Sequence, residues 1–273
     1  MPLKWITYKR KQYTLEESLE SETILNRYPR SYIQAVFSQR PWKGKPSVTQ
    51  LLNGTRQSYL EITSDYNAKP EDRAWAVLGT ETHQRLENAA NEIELSTEER
   101  LSYNDISGQR DLVEPYDGYS RIVDYKVIGS YKWAMLQHEE KKEEAWHDYK
   151  LQLNMYRILV QKNLEESGIQ LHPTKPCWLF GILRDGRTQS ARNLKIYDTT
   201  FLTPVEVLRD SSVLKYFKHK KRALLKALKT KETPKLCNSQ ETWEGRKCKS
   251  YCDVSKMCKK LEKTSDLNNI TLA

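Results

Sequence analysis

No apolar run in this chain approaches the ~18–20 residues that a membrane-spanning helix needs. That excludes a helical membrane protein. The opening stretch MPLKWITYKRKQYTLEES is basic and has no continuous apolar segment of the secretory-leader type, so residence in the cytoplasm is expected. A G-x-x-x-x-G-K-(S/T) loop is missing, which removes nucleotide-driven motors from the list of functions. Internal repeats and low-complexity tracts are absent, and no cysteine precedes Cys177.

What is present is charge and aromatic surface. Of the 273 residues, 30% are charged and 38% hydrophobic, with a mean hydropathy of −0.79. This composition suits a soluble globular protein of one large domain with additions, or two small ones. A net charge of +9 favours a polyanionic partner, held by phosphate contacts and counterion release. Seven Trp and sixteen Tyr supply rings on which unpaired bases could stack.

Periodicity and capping signals outline the elements. A helix is expected around Ser31–Gln39. Ser47 opens another with the capping-box pattern SVTQ, running to about Tyr59. A polar linker ending in KPEDRAW leads to Gly79 and the helix TETHQRLENAANEIE, with Leu86, Ala90 and Ile93 as its apolar stripe. Strands are expected around Ser107–Glu114 and Ser120–Val127, then a long helix from about Lys142 to Leu164 closed by Gly168. KPCWLFGIL and NLKIYDT read as strands on either side of RDGR, where Asp185-Gly186 is a hairpin signal. The basic helix PVEVLRDSSVLKYFKHKKRALLKAL then leads into a cysteine-rich tail. The expected fold is α/β, a mixed sheet with helices around it. The expected division is an N-terminal extension over 1–45, a core over 46–230, a cysteine module over 231–262 packed on that core, and a flexible tail over 263–273.

One strand carries unusual residues. In RIVDYKV, residues 121–127, side chains alternate between faces. Val123, Tyr125 and Val127 share one face, and Ile122, Asp124 and Lys126 the other. Upstream, EPYDGYS has Asp117-Gly118 at its middle, the preferred pair for a two-residue type I′ turn. Counting back along such a hairpin sets Asp111 opposite Asp124, with Lys126 on the diagonal. Facing carboxylates repel unless a cation compensates, and a divalent metal is the obvious one. The alternative is a longer or bulged loop with solvated acids, and Pro115 in the first strand speaks for it. His83 and Glu87 stand at i and i+4 on one helix, and Gln152 and Tyr156 at i and i+4 on another. A histidine beside carboxylates suits Mn²⁺ or a similar ion.

The tail holds four of the five cysteines, Cys237, Cys248, Cys252 and Cys258. Without a secretion signal such a cluster points to metal rather than disulfides. Four thiolates suit either tetrahedral Zn²⁺ or a 4Fe–4S cluster. Cys177, in an apolar strand, reads as a buried thiol.

Taken in order, Gly79…His83…Glu87, Gly108-Gln-Arg-Asp111, Asp124-Tyr-Lys126 and Gln152-x-x-x-Tyr156, followed by clustered cysteines, resemble the PD-(D/E)XK nucleases. The likeness covers about residues 47–258 and is greatest to the RecB/Cas4-like exonuclease branch with its phage-encoded relatives. It implies a restriction-endonuclease-like mixed-sheet core. His83, Asp111, Asp124 and the Tyr125 backbone carbonyl are implied as ligands of Mg²⁺ or Mn²⁺, Lys126 as the catalytic lysine, and Glu87 as support for the metal or its water. Gln152 and Tyr156 are implied to lie close to the DNA. Two departures are plain: the acid of the third motif is Asp124, within the family's choice, and the first carboxylate follows Arg110 rather than Pro. The last three cysteines resemble the family's iron–sulfur clasp, but its upstream ligand is missing and Cys237 stands in its place. The resemblance thus leads to an expected divalent-metal-dependent DNA nuclease, an exonuclease on DNA ends or single strands. The settings are recombination, repair or phage DNA processing, in a bacterial or phage-infected cell, beside a recombination or replication partner protein. The alternatives are a structure-selective endonuclease and a non-catalytic nucleic-acid-binding protein with a degenerate nuclease fold.

Overall fold

The structure is a computed structural model. It describes residues 3–39, 41–97, 99–163 and 168–270, with side chains in the last helix up to residue 262. The chain divides into two compact units, one made of residues 1–44, 53–77 and 220–273, the other of 45–52 and 78–219.

The first unit opens on a hairpin, β1 (Leu3–Tyr8) and β2 (Lys11–Tyr13). Three short helices follow: α1 (Leu15–Glu20), α2 (Glu22–Leu25) and α3 (Arg30–Phe37). A capping box starts α1, where Thr14 Oγ1 accepts from Glu17 N–H and the Glu17 carboxylate accepts from Thr14 N–H. After α4 (Val48–Leu52), which belongs to the second unit, the chain returns as α5 (Thr55–Thr63) and β3 (Tyr66–Ala68). β3 pairs parallel to β1, giving the order β2-β1-β3. Helix α6 (Pro70–Glu92) starts in the first unit and ends in the second. Ile6, Ile24, Ile33 and Leu60 are buried here.

The second unit carries the larger sheet. Its strands are β4 (Ser96–Thr97), β7 (Leu112–Tyr116), β8 (Tyr119–Ile128), β9 (Cys177–Leu183) and β10 (Thr200–Pro204), in the order β10-β9-β8-β7-β4. Only β8 and β9 run parallel; the other neighbours are antiparallel. β5 (Arg100–Tyr103) and β6 (Ile106–Gln109) form a separate ribbon. Between β8 and β9 lie α7 (Ser130–Gln137) and α8 (Lys142–Lys162), the crossover that a parallel pair requires. Leu86 and Ala90 of α6 pack with Leu112, Val123 and Tyr125 on one sheet face. On the other face Cys177 Sγ donates to Leu153 O of α8 at 3.3 Å, and Leu153, Met155 and Ile158 are buried. A short α9 (Gln189–Asn193) precedes β10, and α10 (Asp210–Thr230) runs back into the first unit.

In the first unit the cysteine-rich tail adds α11 (Arg246–Ser250) and α12 (Ser255–Ile270). The buried Arg56 of α5 donates to Pro234 O and Cys258 O, both at 3.2 Å. Lys247 Nζ reaches Asn53 Oδ1 at 2.8 Å, and Lys220 pairs with Glu241. Gly54 lies so close to Cys237 that a Cβ there would stand 2.2 Å from the sulfur. Buried polar groups thus hold the tail where apolar area is scarce.

The elements differ from expectation in identifiable places. The helix expected from Ser47 to Tyr59 is two, broken at Asn53-Gly54, although the Ser47–Gln50 capping box is present. The KPEDRAW linker is the start of α6, with Pro70 at the first helical position and Glu71 and Asp72 in the first turn. Gly79 sits inside α6, and Ile93 lies past its end, 69% exposed. The expected strand Ser107–Glu114 is two, β6 and β7. NLKIYDT is not a strand, and RDGR does not close a hairpin. The Asp185 carboxylate instead takes Ser130 N–H at 2.6 Å and Ser130 Oγ at 2.7 Å, capping α7. The strand beside β9 comes later, at Thr200–Pro204. α8 ends at Lys162, and Leu164 lies outside the described residues. The N-terminal 44 residues and the cysteine-rich tail fall in one unit rather than in separate pieces. Of the tail expected to be flexible, 263–270 continue α12, and 271–273 lie outside the described residues.

Candidate active site

The hairpin register agrees with the sequence argument. Tyr116 pairs with Tyr119 across Asp117-Gly118, whose φ values of +50° and +73° are those of a type I′ turn. The ladder continues through Pro115↔Ser120 without a bulge to Leu112↔Val123. Pro115 therefore does not disturb it, and Asp111 is the next residue out, level with Asp124.

Asp111 does not continue the strand. Arg110 is buried, and its guanidinium donates to Ser96 O at 3.0 Å, Ser96 Oγ at 2.7 Å and Glu99 Oε2 at 2.5 Å. That anchorage accompanies the break between β6 and β7. The Asp111 carboxylate reaches β8 directly: Oδ2 accepts from Tyr125 N–H at 2.7 Å, while Oδ1 lies 3.3 Å from His83 Nδ1 of α6. The Tyr125 ring meets His83 edge-on, with centroids 6.0 Å apart.

Asp124 is only 1% exposed. Lys126 Nζ donates to its Oδ2 and also lies 3.3 Å from Tyr125 O. From α8, Gln152 Nε2 approaches Asp124 Oδ1 at 3.4 Å and donates to Tyr156 Oη at 3.0 Å. Burial and the charges of Asp124 and Asp111 push the Tyr156 phenol well up, so it stays protonated. Tyr149 was not anticipated. It lies one turn before Gln152, and burial together with the Asp124 charge also raises it. Its i−3 spacing from Gln152 was the signal available.

The structure therefore brings His83, Asp111, Asp124, Tyr125, Lys126, Gln152 and Tyr156 together. It leaves Glu87 apart, with its carboxylate accepting from Gln84 of its own helix at 3.0 Å and no contact to either aspartate among the described residues. The side chains present suit a cation, since Asp124 is an enclosed carboxylate whose close counter-charge is the Lys126 ammonium. Among the described residues, no three His, Cys, Asp or Glu side chains surround one point.

A family model described as the PD-(D/E)XK nuclease superfamily matches residues 13–259. The chain belongs to that superfamily. No curated protein matches it significantly. Among solved structures it is similar to SSO0001, at 18% identity and TM-score 0.47, over 84% of this chain and 92% of that one. An alkaline exonuclease from Laribacter hongkongensis matches at 14% identity and TM-score 0.39, over 69% and 89% of the two chains. A phage-related exonuclease from Haemophilus somnus 129PT matches at 16% and 0.36, over 57% and 73%.

In this PD-(D/E)XK protein Cys237 lies within electrostatic range of Cys258, and Cys252 of Cys248. Burial pushes the Cys252 thiol up to about 12 and raises Cys237 as well. All four are free and half-buried, and Cys177 is the buried thiol expected.

Protonation of the candidate site sets a pH dependence without metal. Burial pushes Asp124 up to about 6, with Asp111 adding to it. Burial alone would lower His83, but the Asp111 hydrogen bond and charge outweigh it and leave the imidazole above its ordinary value. For both groups the folded state binds more protons than the unfolded chain, so stability falls as pH rises. For Asp124 the loss begins near pH 4 and runs through about 6. For His83 it begins above 6.5, as pH rises through the raised value. Asp111 is opposite in sign: against the burial that would raise it, His83, Lys126 and the Tyr125 N–H hold it below 3.8, so its contribution is lost only in acid. In EDTA the melting temperature is expected to fall as pH rises from about 4 through 6 and on past 6.5. Asp124→Asn should flatten the lower half of that fall, and a parent curve that rises over this range contradicts the assignment.

Proposed function

We propose that this protein is a divalent-metal-dependent DNA nuclease that hydrolyses phosphodiester bonds and works from DNA ends or single strands. One observation carries it: Asp111 Oδ2 accepts from Tyr125 N–H, the residue between Asp124 and Lys126, and Lys126 Nζ lies on Asp124 and beside Tyr125 O. Preference for ends rests on the motif order shared with the RecB/Cas4-like branch. The non-catalytic reading is disfavoured because an acid, an acid and an amine remain assembled.

Asp111, Asp124, the Tyr125 carbonyl and His83 are the groups that would hold Mg²⁺ or Mn²⁺. Such an ion supplies neutralisation of phosphate charge and acidification of water. The chain's own residues do the rest. Gln152 steers the Asp124 carboxylate from α8, and the Tyr125 N–H and His83 fix both oxygens of Asp111. Lys126 Nζ, held against Asp124 and beside Tyr125 O, is placed to orient water or to give and take its proton. For the cysteine-rich tail the reading is a structural thiolate-bound centre, 4Fe–4S or alternatively Zn²⁺, at Cys237, Cys248, Cys252 and Cys258. Four free, half-buried cysteines in one tail and the shortage of apolar area in this segment support it.

The test is digestion of end-labelled linear and closed circular DNA, single- and double-stranded, with Mg²⁺ or Mn²⁺. Nucleotides released from linear DNA, with circles intact, are expected. Cut circles would make the enzyme an endonuclease, and no cleavage of any substrate would overturn the reading.

A further inference from the structure

In the first unit, Lys9 and Arg10 form the whole of the β1–β2 turn. Tyr8 pairs with Lys11, and both turn residues are left-handed, at φ +46° and +67°. A two-residue turn of this kind selects Asn, Asp and Gly, which tolerate positive φ. Lys and Arg lack the short polar side chain that compensates there. Two adjacent non-glycine residues held in that region mark a place where local preference was overridden.

The turn edges a cavity of about 650 Å³ lined by Thr7, Tyr8, Gln12, Asn67, Lys69, Glu71 and Lys256 besides Lys9 and Arg10. Its size is that of a site for a small ligand, about 300–1,000 Å³. The four cations come from three places in the chain: the hairpin turn, the residue ahead of α6, and the first turn of α12. Among the described residues none of the four has a carboxylate partner, and Lys9 only overlies the Tyr8 ring at 5.5 Å. Glu71 is the single acid in the lining, and Tyr28 Oη donates to it. Burial and that carboxylate push Tyr28 up to about 12, so it remains a donor. Gln12, Asn67 and Thr7 add neutral donors.

We propose that this pocket is an exosite for the phosphodiester backbone of a nucleic-acid strand, gripped by Lys9, Arg10, Lys69 and Lys256 outside the catalytic residues. It rests on the reading of a phosphodiester chain as substrate. Converging cations read phosphate without regard to base, so binding at the pocket is insensitive to sequence and sensitive to salt.

The test measures anisotropy of a fluorescein-labelled oligothymidylate in EDTA, where no cleavage intervenes. In the double variant Lys9→Asn/Arg10→Gly the turn receives its preferred pair, so the protein should melt at or above the parent temperature. Its Kd should nonetheless rise roughly tenfold, and the slope of log affinity on log salt should fall by about 1.4, for two lost phosphate contacts. Lys256→Ala, on a separate element, should shift both in the same direction. Parent affinity and slope in both variants overturn the exosite. Titrations with inorganic phosphate and with thymidine monophosphate separate the sources: if these small anions lose binding in the variants while the strand does not, the pocket serves a free anion and the proposal fails. Because binding is read without metal, failure here leaves the cleavage test of the active site untouched.

Discussion

Lys126→Ala is expected to cut DNA about 10²–10⁴ times more slowly than the parent with Mg²⁺, the usual contribution of a positioned proton-transfer group. Its ammonium lies on Asp124 and 3.3 Å from the Tyr125 carbonyl, and among the described residues no second Lys or Arg bonds to that carboxylate. Lys126→Arg should restore little: a guanidinium is always charged and presents a rigid fork, so it can carry charge but not exchange a proton. Strand affinity in EDTA should stay near the parent value in both variants. Initial rates on end-labelled linear DNA measure the effect. Parent-like cleavage by Lys126→Ala removes the lysine from the mechanism, and full rescue by Arg leaves it only an electrostatic role. Asp124→Ala should be as damaging, since it removes the carboxylate around which Lys126 and Gln152 are arranged.

Gly181→Val is expected to destabilise the second unit beyond the ~1–3 kcal/mol typical of overpacking. On propensity alone the substitution should favour a strand. Packing reverses the sign. Gly181 sits at the centre of β9 between Lys126 of β8 and Phe201 of β10. A Cβ there would stand 1.9 Å from the Phe201 ring. That ring cannot easily swing away, because Trp133 of α7 stacks on it at 3.6 Å and 10°. The chemical-denaturation midpoint should drop sharply, and Phe201→Ala in the same chain should recover part of the loss. A midpoint at or above the parent value shows that the ring yields freely. Since Lys126 is Gly181's neighbour, cleavage should fall with stability in the single variant.

The site was legible mainly through short-range rules. Asp117-Gly118 announced a two-residue turn, and that turn propagates its register up the hairpin to residues 111 and 124. Alternation in RIVDYKV separated the face that packs on α6, Val123 and Tyr125, from the face that carries Asp124 and Lys126. Helical spacing grouped Gln152 with Tyr156. Glu87 shows the limit of that rule: spacing placed it on a face with His83, yet its carboxylate takes the Gln84 amide of its own helix instead of joining the aspartates. The Lys9-Arg10 hairpin escaped because its turn carries none of the residues that mark such turns, and α6 was begun too late because Lys69-Pro70 reads as a linker.

Local composition and period were enough for Asp124, its amine and the face those two share, and for setting Asp111 beside them, because a strand's alternation and a tight turn's register depend on neighbours in the chain. Long-range contact was needed for everything that bends those rules. Arg110 finds Ser96 and Glu99 and draws Asp111 off the ladder; Asp185 finds Ser130 and caps a helix rather than closing a hairpin; and residues 1–44 share a unit with a tail more than 170 positions away. Such partners are remote in sequence, and buried polar groups seek them because going without a partner costs more than abandoning a local preference.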